Sequence, residues 1–156
     1  MGHTSRAILL LVGLAALPAH ADVQEFYVAT VHLDGSTSTK GDGSHPAEPF
    51  PAQEIPSGGG LIRKSPNAEG AWSIRAFVFV PQQLVVRQGD EVVLHFVGVQ
   101  GPSHRIEVVG QGPAFELRRG EVRTIRFQAA EPGVTAFRSI DRAPTMQGQI
   151  LVLAKP

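Results

Sequence analysis

Four side chains in the last third of the sequence decide what chemistry it can attempt. His104, within Gly101-Pro-Ser-His104-Arg-Ile106, offers an imidazole, and Met146 a thioether. Both are suitable donors to soft copper. Ser139 carries a hydroxyl that becomes a nucleophile only beside a base, and Asp141 follows two residues later. Arg142 works against a metal: its guanidinium stays protonated at any relevant pH and sets a positive charge against a cation. The chain has no cysteine. That excludes thiolate chemistry of every kind and leaves stability to the core rather than to disulfides.

The elements that must position these groups read as strands. Of 156 residues 42% are apolar, with 17 glycines and 12 prolines. That composition favours short strands and turns, and no stretch keeps helical spacing over several turns. Residues 26–33 (FYVATVHL) predict an opening strand. Residues 73–80 alternate around Ile74, Ala76, Val78 and Val80, then stop at Pro81. Residues 84–87 lead into Gln88-Gly89-Asp90, a tight turn with glycine available for positive φ. In the following strand Val92, Leu94 and Phe96 face one way, and Val93, His95 and Val97 the other. Further strands are predicted at 105–109, 114–117, 122–127, 134–137 and 149–153. Seven or eight short strands at this spacing predict an all-β, antiparallel Greek-key sandwich. Residues 34–70 are rich in Gly, Ser, Thr and Pro and predict a long loop or linker. Trp72 is expected in the core.

From about residue 72 to 153 the order of features resembles the cupredoxin family, particularly its bacterial periplasmic branch related to subunit II of haem–copper oxidases. Residues 81–90 (PQQLVVRQGD) are similar to that family's strand leading into a Gly-Asp turn, and 96–104 to the strand and loop that bear its first histidine ligand. Residues 119–127 and 131–137 are similar to the segments before the ligand loop, and 137–152 to that loop. The resemblance implies a cupredoxin-like sandwich with His104 in the first ligand slot. It places Ser139, Arg142 and Met146 where the family has Cys, His and Met. A blue-copper centre needs two imidazoles and a thiolate in a plane, with a weak axial thioether. The resemblance therefore implies a degenerate type 1 copper site, with no metal or cofactor expected. A dinuclear copper centre needs two thiolates and is excluded more firmly.

Within that frame Arg142 is expected to pair with Asp141, Glu107 or Glu116 and plug the pocket, with Met146 as core filler. The alternative is copper handling at a rearranged site, by His104 and Met146 with help from His95, or from His32 and His45. Ser139 beside His104 would be the start of a hydrolase. Asp141, however, shares the loop of Ser139 and has no route to orient His104, and no segment offers an oxyanion hole. No catalytic residue is expected, and the leading reading is a non-enzymatic binding or accessory module of a respiratory or copper-enzyme system.

The amino terminus has the pattern of a secretory signal. Arg6 precedes an apolar run over residues 8–17 that is too short to span a bilayer, and Ala19-His20-Ala21 is an A-x-A cleavage site. Cleavage after Ala21 predicts a periplasmic protein with no membrane span, organised as an N-terminal strand and loop over 22–71 and a cupredoxin-like domain over 72–156. Its charge is close to balanced: 14 Lys and Arg stand against 14 Asp and Glu in the whole chain. That gives no drive for nucleic-acid binding through phosphate neutralisation. Arg105, Arg118, Arg119, Arg123, Arg126, Arg138 and Arg142 nevertheless crowd the last third, where they would suit an acidic envelope partner.

Overall fold

The computed structural model describes residues 22–51, 53 and 60–155. The signal pattern over residues 1–21 and most of the glycine-rich stretch at 57–60 lie outside them. Among the described residues ten strands follow one another: β1 (Val23–Ser38), β2 (Leu61–Lys64), β3 (Ala71–Val80), β4 (Gln83–Arg87), β5 (Glu91–Val97), β6 (Ser103–Val108), β7 (Phe115–Arg118), β8 (Val122–Gln128), β9 (Gly133–Ser139) and β10 (Gln147–Leu153). No helix among the described residues is long and apolar enough to cross a membrane.

The strands form two five-stranded sheets, ordered β2-β3-β1-β5-β8 and β4-β10-β9-β6-β7. Alternation along each strand explains the stacking. In β5, Val92, Leu94 and Phe96 are fully buried between the sheets, while His95 faces outward and is partly exposed. In β1, Val28 and Thr30 turn inward, and Tyr27 is exposed. The centre of the sandwich is aromatic. Phe79 and Phe96 from the first sheet meet Phe137 from the second at ring-centroid distances of 5.2 and 5.7 Å. Edge-on pairs of this kind add to what their buried area contributes.

Two differences from the sequence reading bear on the site. First, β1 continues to Ser38 and β2 falls at residues 61–64, so both ends of the expected 34–70 loop hold strand. Residues 29–38 pair antiparallel with β3, and residues 23–29 pair parallel with β5. A second parallel pair joins β4 to β10, and the other ladders are antiparallel. Second, Trp72 is not in the core. It lies on the outer face of the first sheet, where its Nε1–H donates to the Glu48 carbonyl and its ring meets Phe50 edge-on. Parity decides this: Phe77 and Phe79 of the same strand point inward, so residue 72 must point out.

The aromatic centre carries a direct expectation. Phe137→Ala should lower the unfolding free energy by about 3–5 kcal/mol. Val134→Ala, on an exposed position of the same strand, should change it by less than about 0.5 kcal/mol. Urea unfolding of both variants, followed by circular dichroism, checks the pair.

Candidate functional site

His104, Ser139 and Met146 come together because three strand ends converge at one end of the sandwich. In β6 the even positions His104, Ile106 and Val108 turn inward, and His104 is the outermost of them. Ser139 is the last residue of β9, which pairs with β6 through Ile106 and Ser139. The chain then makes a compact turn before β10. Arg142 N–H donates to Ser139 O (3.2 Å), Met146 N–H to Arg142 O (3.0 Å) and Ser139 N–H to Met146 O (2.9 Å). These bonds return Met146 to the core, where it is fully buried. Gly60 rests against this turn with φ of 76°. A Cβ there would collide with Thr145 Oγ1 and the Arg142 carbonyl, so only glycine fits.

The loop from β5 to β6 fixes the orientation of His104. Gln100 O accepts the His104 Nε2–H at 2.7 Å. A carbonyl can only accept, so Nε2 carries the proton and Nδ1 holds a bare lone pair. Gln100 is itself held from β1: its N–H donates to Thr30 O (2.9 Å), while the buried Thr30 hydroxyl donates to Gln100 O and accepts from Val99 N–H. Gly101 lies directly on the imidazole, with φ of 87°. A Cβ there would sit 2.5 Å from His104 Nε2 and 3.2 Å from the Phe77 ring.

Two atoms in this pocket are buried without a hydrogen-bond partner: His104 Nδ1 and Ser139 Oγ. Ser139 and His104 are therefore not hydrogen-bonded to each other, and the Asp141 carboxylate faces the Arg105 N–H instead, at 3.4 Å. No nucleophile–base pair exists here.

Arg142 departs from the expected ion pair. Glu107 is taken by Arg138 at 2.8 Å and Glu116 by Arg118 at 3.4 Å. The guanidinium of Arg142 instead lies over the ring of Phe77, 4.3 Å from its centroid. The reason is geometric: Phe77 presents its face at this end of the sandwich, and its ring also meets His104 at 5.3 Å. The plug is a cation–π contact, not a salt bridge. Phe77, Thr30 and Gln100 carry no motif of their own. The sequence alternation around Ile74, Ala76, Val78 and Val80 pointed to the other face of this strand, and the structure buries Phe77 and Phe79 instead.

Of the other histidines among the described residues, one comes near. His32 meets the Phe77 ring at 5.8 Å, its N–H donates to Gln100 Oε1 at 2.7 Å, and its Nε2 lies 2.9 Å from Asp34. His95 is on the outer face of the first sheet, stacked on Tyr27 and bonded to Glu25 and Thr124. His45 is exposed beside Asp42. Neither lies beside His104, which corrects the expectation that His95 or His45 helps to complete a copper site. Among the described residues no three His, Cys, Asp or Glu side chains converge as a metal group.

A type 1 copper ion does not fit this donor set. His104 supplies one bare imidazole nitrogen and Met146 a thioether. Ser139 is a neutral hydroxyl where a thiolate is needed, and the fourth slot holds a fixed cation.

No protein-family model matches the sequence, and no curated protein sequence is significantly similar to it. Solved structures are similar in fold. A copper nitrite reductase from Nitrosomonas europaea superposes with a TM-score of 0.55 at 17% identity, over 86% of this chain and 42% of that one. A copper-containing nitrite reductase from Thermus scotoductus SA-01 gives 0.46 at 22% identity, over 53% and 23%. Auracyanin B gives 0.41 at 18% identity, over 51% and 81%. The chain is a cupredoxin-like β-sandwich, spanning less than half the length of the Nitrosomonas enzyme.

Burial holds the His104 pKa below the ordinary 6.5. The Gln100 carbonyl opposes that shift, Arg142 reinforces it and Asp141 opposes it. Below about pH 6.5 the unfolded chain binds a proton that the folded chain refuses, so stability falls with pH until the folded value is passed. His104→Gln should make the loss of stability between about pH 7 and pH 5 shallower than in the wild type, whatever its effect on absolute stability. Denaturant midpoints measured across that range check the slope.

Proposed function

We propose that this protein is a cupredoxin-like binding module of the bacterial envelope, exported to the periplasm, that serves a respiratory or copper-enzyme system without being an electron carrier or an enzyme. One observation carries the reading: the guanidinium of Arg142 lies over Phe77, which packs on His104, at the end where a cupredoxin holds its metal. A blue site works because a thiolate binds copper tightly and carries the electron. Here a hydroxyl and a permanent cation stand in place of two of its ligands. What is left at that end is a preformed surface suited to recognition. The secretory pattern over residues 1–21 supports the location, and the arginines of the last third support an acidic partner.

A second reading has its own observation. A histidine that donates one ring N–H to a backbone carbonyl and keeps the other nitrogen bare is oriented as metal-bound histidines are. His104 has that form, and Met146 is buried in the turn that follows Ser139. It favours weak, transient handling of Cu(I), not a resident blue centre.

Copper titration of the mature protein separates the two. The binding-module reading expects no intense blue absorption with Cu(II), and no competition with a chelator of micromolar affinity for Cu(I). Stoichiometric Cu(I) capture that His104→Ala abolishes would establish the second reading instead.

A further inference from the structure

A cleft opens beside the buried histidine, on the far side of Gly101. It encloses about 350 Å³, near the lower end of what small-molecule sites occupy. Its walls divide by chemistry. Phe77, Val99 and Pro102 supply apolar surface, and His32, Arg75 and Arg119 supply positive or protonatable groups. No acidic residue lines it. The one carboxylate nearby, Asp34, is already engaged by Arg75 through two hydrogen bonds and by His32. Its pKa is lowered, first by the hydrogen bond from Arg75. Arg75 is thus neutralised where it stands. Arg119 is not: its Nε–H donates to Gly101 O at 3.3 Å, and among the described residues it has no carboxylate partner. That bond aims the guanidinium at the cleft and leaves its terminal N–H groups free. Arg142, over the opposite part of Phe77, adds a second unneutralised charge next to the cleft without lining it.

The floor is rigid. Gln100 is bonded to Thr30 and to both His32 and His104. The turn carrying Arg119 is tied back by Arg119 N–H to Pro102 O (3.2 Å) and Gly120 N–H to Gly98 O (2.6 Å). A site that needs no rearrangement loses little affinity to ordering. A guanidinium with two free N–H groups matches a carboxylate in both charge and shape.

From these contacts we propose that the cleft binds a small organic carboxylate, its charged end on Arg119 and its apolar body against Val99 and Pro102, beside Phe77. The proposal goes beyond the binding-module reading and shares with it only the premise that protein, not metal, fills the His104 side of the wall. The copper titration tests that premise, and the following experiment tests the cleft alone.

Benzoate is titrated into the labelled mature protein, in the presence of a copper chelator, and amide chemical shifts are followed. The result expected is saturable movement of the Val99, Gln100 and Gly101 signals with a Kd on the order of a millimolar or tighter. Arg119→Gln should weaken it about tenfold, and Arg126→Gln, exposed on the edge strand β8 of the same sheet and absent from the cleft wall, should leave it unchanged. Val99→Asp, at an exposed position, should abolish binding through charge repulsion and gives a second variant whose fold is not at risk. No saturable shift, or equal loss in Arg126→Gln, overturns the proposal. Saturation by sulfate at these amides without saturation by benzoate overturns the organic carboxylate in favour of a plain oxyanion.

Discussion

A charge that cannot be removed lies against an aromatic face at one end of this sandwich, and the chemistry of that end follows from it. Arg142 keeps its proton throughout the physiological range, and its guanidinium is 4.3 Å from the Phe77 centroid. The same ring meets both His104 and His32. A cation, a ring quadrupole and a neutral imidazole therefore stand in sequence. Such a contact contributes about 0.5–2 kcal/mol. It also disfavours a second positive charge nearby, whether a proton on His104 or a metal beside it. Two buried atoms, His104 Nδ1 and Ser139 Oγ, have no hydrogen-bond partner among the described residues.

The position of His104 is set from the opposite sheet. Thr30 of β1 holds Gln100 and Val99, Gln100 holds the imidazole, and Gly101 lets the backbone lie flat against the ring. The ligand turn is fixed separately, by its own hydrogen bonds and by Gly60 packed over it. Both halves are built independently of any metal. The pocket therefore keeps its shape with a hydroxyl and a guanidinium in it.

Much of this was legible in the sequence. The strands from β3 to β10 follow from period-2 alternation and from Gly and Pro at the turns, and the inward set of β5 was readable residue by residue. Ser139, Arg142 and Met146 were singled out through the resemblance to a cupredoxin ligand loop, and the structure puts them at the end of β9 and in the short turn before β10. Other features depended on partners distant in sequence. The length of β1 is set by pairing with β3 and β5, not by its own composition, which turns polar after Leu33. The partner of Arg142 was expected to be a carboxylate. Those carboxylates are occupied by Arg138 and Arg118, and the choice of an aromatic face depends on packing that periodicity does not encode. Gln100 left no trace, since its role is carried largely by a backbone carbonyl.

The most direct measurement restores the two missing donors. In a Ser139→Cys, Arg142→His double variant, copper should find a thiolate and a second imidazole beside His104 and Met146. If this is a cupredoxin frame with two ligands replaced, the double variant turns intensely blue on adding Cu(II) while the wild type stays colourless. A folded double variant that binds no copper, or a wild type that turns blue unaided, would contradict it.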